Sequence, residues 1–188
     1  MKWDQEITLA SASPRRLELL KKAGFNVIVS PTNIDENADL NLEPFSYAMQ
    51  LAEQKCDSHP ESGKVPFLVS ADTIVVANGQ ILNKPKDKAE ARQMLQKLSN
   101  NKHEVITAVC VRAPYKKEVF FESTNVHFAS LSKDAIEYYT NEYKPMDKAG
   151  SYGIQEWIGY RYIKGIEGCY YNVMGFPVAK FCKILESF

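Results

Sequence analysis

Apolar and polar residues change places along this chain in short blocks, and each block predicts an element. Ile7-Thr8-Leu9-Ala10 is an apolar strand, and Ser11-Ala12-Ser13 is a loop. A helix follows from Pro14 to about Ala23, with Leu17, Leu20 and Ala23 as its apolar stripe and Gly24 closing it. Phe25 to Val29 is the next strand, so the chain opens as an α/β unit. Ser30 to Asn41 is a polar, acidic loop, and Phe45 to about Cys56 is a helix with Ala48, Leu51 and Lys55 on one face.

Pro66 to Ser70 is nearly continuous in apolar residues, as a buried strand is. Ala71-Asp72-Thr73 interrupts it before Ile74-Val75-Val76, and Asn78-Gly79 is a strong hairpin turn back through Ile81-Leu82. Asp87-Lys88-Ala89-Glu90 forms a capping box for a helix reaching about Leu98. Val105–Val111 and Glu118–Phe128 are long strands, and Ser132 caps a helix through about Tyr143. Lys144 to Gln155 is rich in turns. Ile163–Ile166 and Tyr170–Val173 read as short strands, and a terminal helix starts around Gly175-Phe176-Pro177. Helices interspersed with hairpins predict a mixed sheet flanked by helices, in one domain spanning residues 1–188.

Charge narrows the function classes. Lys plus Arg and Asp plus Glu both number 23, so the formal net charge is zero. That balance argues against nucleic acid or a membrane surface as partner. The four cysteines and three histidines are scattered, without the spacing of a zinc site or a disulfide scaffold. Reduced thiols, no signal core and no long apolar run point to a cytoplasmic protein.

Against this neutral background Arg15-Arg16 stands out. The start of a helix is the positive end of its dipole, where cations are unfavourable. Ser11, Ser13 and free backbone N–H groups make the same place an anion site. Either the arginines wait there for phosphate, or they point into water. Asp72 follows a buried apolar run near a strand end, where a carboxylate is costly unless compensated. It could bind a divalent metal, act as a general base, cap the turn, or pair with a lysine. Asp35-Glu36 offers hard oxygen ligands for Mg²⁺ or Mn²⁺, or is simply a solvated loop. Lys55 either carries its ammonium toward the protein or lies at a helix C-terminus, and Lys84 is held extended by Pro85.

The combination SASPRRLELL, SADTIVV, NKPKDKAEARQML, DKAGSYGIQ and NVMGFPV resembles the Maf family of nucleoside triphosphate pyrophosphatases, in the family order and over nearly the whole chain. The resemblance implies a Maf/Ham1-like (ITPase-like) α/β fold, with a mixed central sheet and two lobes around a deep cleft, often as a homodimer. It implies hydrolysis of a nucleoside triphosphate to monophosphate and pyrophosphate with a divalent metal, Mg²⁺ or Mn²⁺. Asp72 matches the proton acceptor. Ser11, Arg15, Arg16, Glu36, Lys55 and Lys84 match positions lining the phosphate and metal site, with Glu36 and Asp72 at the metal. Arg16, Thr73 and Gln155 match positions that sort substrates, and this set resembles the branch acting on dTTP and UTP. The amide of Gln155 carries a donor and an acceptor, which suits the O4 and N3–H that thymine and uracil share.

The sequence departs from the family pattern at Asn83 and at Glu156-Trp157, the latter next to Gln155. Those departures leave the reaction alone and bear on the base pocket. Rival expectations are a pyrophosphatase for CTP or 7-methylguanosine triphosphate, and a nucleotide-binding regulator of septum formation. Nucleotide-pool house-cleaning and cell division both stand as purposes.

Overall fold

The computed structural model describes residues 5–32, 38–39 and 41–188. Its elements in chain order are β1 (Glu6–Leu9), α1 (Pro14–Lys22), β2 (Asn26–Val29), α2 (Pro44–Asp57), β3 (Leu68–Ala77), β4 (Gln80–Leu82) and α3 (Lys88–Leu98). They continue with β5 (Lys102–Arg112), β6 (Lys117–Phe128), α4 (Lys133–Glu142), α5 (Trp157–Tyr162), β7 (Ile163–Glu167), α6 (Tyr170–Val173) and α7 (Val178–Leu185). The strands pair in the order β2-β1-β3-β5-β6-β7, with β4 on β3. β1 runs parallel to β2 and to β3, whereas β3–β4 and β6–β7 are antiparallel. The sheet is therefore mixed, as the interspersed hairpins predict.

The chain divides into two compact units. The first comprises residues 1–72, 107–122 and 175–188, and the second residues 73–106 and 123–174. The boundary passes between Asp72 and Thr73 of β3.

In the first unit, β1 is buried at Ile7 and Leu9, and α2 buries Tyr47, Ala48, Leu51, Ala52 and Cys56. α1 buries Leu19 and Leu20; the predicted stripe of Leu17, Leu20 and Ala23 is rotated, leaving Leu17 and Ala23 half-buried. Phe181 of α7 stacks edge-on against Phe25 and Phe176.

In the second unit, Leu95, Leu98, Val105, Val126, Phe128, Tyr139 and Ile158 belong to one apolar cluster. The Asn78-Gly79 turn has φ of 51° and 72°, the left-handed pair that a two-residue hairpin needs to match strand twist. Asp87 caps α3 by accepting from the Glu90 N–H at 2.8 Å. The Glu90 carboxylate reaches the Lys86 N–H at 2.7 Å, one residue beyond the usual reciprocal bond.

Two short segments differ from the pattern. Tyr170–Val173 is helical, not extended. The helical turn sends the buried Asn172 amide to the Val105 carbonyl and to Thr124 Oγ1, both at 2.9 Å. α5 occupies residues where the pattern predicts no element. Asp72 lies inside one continuous ten-residue strand, not near a strand end. Among the described residues, no helix is long and apolar enough to cross a membrane, and the four cysteines are free thiols.

The second unit also carries a buried titratable group. His103 is 2% exposed, stacked on Phe128, with Nε2 2.7 Å from the Tyr152 hydroxyl. Burial, reinforced by His127, pushes its pKa down to about 3 from 6.5. Between those values the unfolded chain holds the extra proton, so stability is full above pH 6.5 and falls as pH drops through that window. Going from pH 7 to pH 5 should cost about 2 kcal/mol through this residue. His103→Gln, which keeps a partner for Tyr152 without titrating, should flatten that part of the melting-temperature profile. An unchanged slope would show that His103 does not cause it.

Candidate active site

The first unit places a carboxylate in a strand that is buried along most of its length. Asp72 sits on β3 between Ala71, which is fully buried, and Thr73. Its compensation is Lys55, whose Nζ lies 2.5 Å from Asp72 Oδ1. Both side chains are nearly closed to solvent, at 12% and 11% exposure. Of the alternatives the sequence leaves for Asp72, pairing with a lysine is thus realised, and it engages one of the two carboxylate oxygens.

Helical spacing explains how Lys55 arrives there. Lys55 is one turn beyond Leu51 and Ala52, on the buried face of α2, so its aliphatic stem follows that face inward. A second bond sets the register. Ser70 Oγ donates to the Ala52 carbonyl at 2.6 Å, with both residues fully buried. Ser70 and Asp72 share a face of β3 because side chains alternate along a strand. That face therefore meets α2 twice, at Ala52 and at Lys55.

The start of α1 belongs to the same unit. Pro14 opens the helix, the Ser13 side chain makes no cap bond, and no acidic residue sits in the first turn. The Ser13 N–H donates instead to Ser11 Oγ at 3.3 Å. Arg16 folds back over this loop, with Nη1 on Ser11 Oγ at 3.1 Å and Nε on the Gly175 carbonyl at 3.0 Å. Arg16 therefore does not point into water, and it ties the SASPRR segment to the NVMGFPV segment. Arg15 is half-buried on the first turn.

The other sequence-predicted residues lie in the second unit or outside the described residues. Thr73 follows Asp72 on the opposite face of β3. Lys84 is exposed after β4, next to the buried Pro85. Gln155 occupies a turn, where its Oε1 is buried without a hydrogen-bond partner among the described residues. A buried, unsatisfied amide oxygen is costly unless something supplies a donor. Asp35 and Glu36 lie outside the described residues.

Sequence reasoning missed the side chains around Gln155. The Tyr139 hydroxyl donates to Glu156 Oε2 and accepts from the Gly153 N–H at 3.0 Å. Burial, then the Glu156 carboxylate, pushes the Tyr139 phenol well above its ordinary range, so it remains a donor. Lys148, itself buried, reaches Asp147 Oδ1 at 2.8 Å and Glu156 Oε1 at 3.2 Å. The one signal available in the sequence was the charged Glu156 directly after Gln155.

Residues 6–188 match the family model Maf, described as Maf-like protein. The chain belongs to that family. It is 44% identical over 182 residues to the dTTP/UTP pyrophosphatase of Cytophaga hutchinsonii, covering 97% of this chain and 84% of that protein. It is 43% identical to the dTTP/UTP pyrophosphatase of Bacillus pumilus, covering 97% of this chain and 96% of that protein. Among solved structures, the Ham1 protein of Staphylococcus aureus aligns with a TM-score of 0.43 at 18% identity, over 66% of this chain and 72% of that chain.

Proposed function

We propose that this protein hydrolyses dTTP and UTP to the nucleoside monophosphate and pyrophosphate, with a divalent metal and with Asp72 as general base. The observation that carries the reading is the buried Asp72 carboxylate, held at one oxygen by Lys55 in the middle of a buried strand. The names of relatives matched over 84% and 96% of their length support the substrate class.

In this reading water attacks the α-phosphorus in line. Its proton passes to the Asp72 carboxylate, and the bond from the α-phosphorus to the bridging oxygen breaks as pyrophosphate leaves. Such transfer depends mostly on positioning and charge neutralisation. Arg15, Lys55 and Lys84 offset charge on the leaving group, while Ser11 and the N–H groups opening α1 receive phosphate oxygens.

Asp72 provides a hard oxygen donor, and magnesium commonly takes one or two carboxylates together with substrate phosphate oxygens. The donor chemistry at Asp72 therefore fits Mg²⁺ or Mn²⁺, with Glu36 as its sequence-proposed companion. Bound there, the ion supplies charge neutralisation on the phosphates. Thr73 and Arg16 contribute to substrate sorting. Gln155 reads the base: its buried Oε1 accepts from N3–H and its Nε2–H donates to O4. Cytosine reverses that pattern and is disfavoured.

Pyrophosphate release from dTTP, UTP, CTP, GTP and 7-methylguanosine triphosphate tests the reading, with Mg²⁺ and with chelator. Release from dTTP and UTP, abolished by chelator, is expected. Preferential turnover of another base would discard the Gln155 reading, and no release from any triphosphate would discard the hydrolase.

A further inference from the structure

The turn that carries Gln155 is braced on both sides by one phenol. The Gly153 N–H, two residues before Gln155, donates to the Tyr139 hydroxyl, and that hydroxyl donates to the Glu156 carboxylate one residue after it. Tyr139 is fully buried on α4, a helix with its own cap at Ser132. The other oxygen of Glu156 is held by Lys148, which is anchored through Asp147.

The backbone of this turn is closed as well. The Glu156 N–H donates to the Gly153 carbonyl at 3.0 Å, so residues 153–156 form one tight loop. The approach to it is constrained at Gly150 and Ser151, with φ of 65° and 63°. A side chain at Gly150 would collide with Val75 of β3, at 2.8 Å from Cγ2. The turn so braced carries Gln155, whose Oε1 is buried without a hydrogen-bond partner among the described residues. A turn needs no buried lysine and buried phenol joined through one carboxylate merely to reverse the chain. Together they hold the turn that sets the direction of the Gln155 amide.

We propose that Tyr139, Glu156 and Lys148 are positioning residues that set base selectivity by fixing the turn bearing Gln155. The inference rests on the base-reading role of Gln155. It adds that selectivity depends on side chains that never touch the base. A displacement of the amide by a fraction of an ångström weakens both of its bonds to the pyrimidine edge and leaves the phosphate chemistry unaltered. The loss therefore falls on KM and on discrimination, not on kcat.

The test compares wild type with Tyr139→Phe, which keeps the ring and removes both bonds. For UTP, KM should rise on the order of tenfold and kcat should stay within about threefold, while the UTP-over-CTP preference in kcat/KM shrinks about tenfold. Glu156→Gln keeps an acceptor for Tyr139 but loses the charge facing Lys148; it should shift the same ratio in the same direction by less, and it carries the test should Tyr139→Phe not fold. An unchanged preference in the folded variants would overturn the proposal. So would an equal fall in kcat for every nucleotide at constant KM, since a purely structural role predicts that.

Failure of the underlying reading looks different. Wild type that favours another triphosphate fails as a dTTP/UTP enzyme, and the proposal then requires that triphosphate's preference to shift in the variants. Wild type that hydrolyses nothing is examined by calorimetric binding of non-hydrolysable UTP and CTP analogues. Variants that bind them with wild-type preference, or a wild type that binds neither, would overturn the proposal.

Discussion

Asp72→Asn should lower pyrophosphate release by roughly a thousandfold, within the range that removal of a general base produces. The amide has the size of the carboxylate and still offers Lys55 an acceptor, so the 2.5 Å contact can persist in outline. What disappears is the capacity to take a proton from water and the charge facing Lys55. The second loss has its own cost, because the ammonium is nearly buried and its ion pair with Asp72 becomes a neutral contact. Removing one partner of a buried pair typically costs about 3–5 kcal/mol. The variant should therefore melt lower than wild type while remaining folded by circular dichroism at 25 °C. Lys55→Met separates the two effects. It removes the ion pair and leaves the base, so it should lose comparable stability and distinctly less turnover. Because Lys55 also offsets charge on the leaving group, its variant should lose some turnover as well, and equal losses would show that the carboxylate contributes no more than the ammonium it faces, which rejects Asp72 as base. If Asp72→Asn turns over within tenfold of wild type, the base assignment fails outright.

Much of the fold was legible because its signals are local. The hairpin at Asn78-Gly79 needs two residues in the left-handed region, and asparagine with glycine is the pair that reaches it at least cost. Asp87 and Ser132 cap α3 and α4 because a side-chain oxygen at that position meets an N–H three residues on. The tail of the chain is harder. Over the four residues of α6 an apolar period of two cannot be told from one of 3.6, and tertiary bonds from Asn172 decide for the helix. α5 is rich in aromatic residues and holds a glycine, poor helix formers, and its turn exists because Ile158 is buried and Gly159 permits close approach.

The candidate site divides along the same line. The face of α2 that carries Lys55 is readable from spacing to Leu51, and the need of Asp72 for compensation is readable from its apolar surroundings. Which lysine answers that need is a contact across 17 residues of sequence, and no periodicity encodes it. Ser70 and Ala52, 18 residues apart, are joined in the same way. Tyr139 and Glu156 are likewise separated by 17 residues, which is why the bracing of Gln155 emerged only in three dimensions.

Gly159→Ala should be the most destabilising single methyl group in the second unit. A Cβ there would stand 1.9 Å from the Ile154 carbonyl oxygen and 2.6 Å from its carbon. Both atoms are backbone, so no rotamer change relieves the overlap. The backbone must open by more than an ångström, against the bond from the Gly159 N–H to the Glu156 carbonyl at 2.9 Å. Overpacking of this kind costs about 3 kcal/mol, which for a chain of this size lowers the melting temperature by roughly 6–12 °C. Gly79→Ala is the informative comparison. Its Cβ meets nothing within 4 Å, and its penalty is only the positive φ of 72°, about 1–2 kcal/mol. A larger loss at Gly79 than at Gly159 would mean that α5 does not sit against residue 154 as described. Because Ile154 directly precedes Gln155, the folded fraction of Gly159→Ala should also lose preference for UTP over CTP, and Gly79→Ala should keep it. Stability alone does not distinguish a tight turn from a tuned one; the pairing of a large thermal loss with a selectivity loss at Gly159, and of neither with Gly79, does.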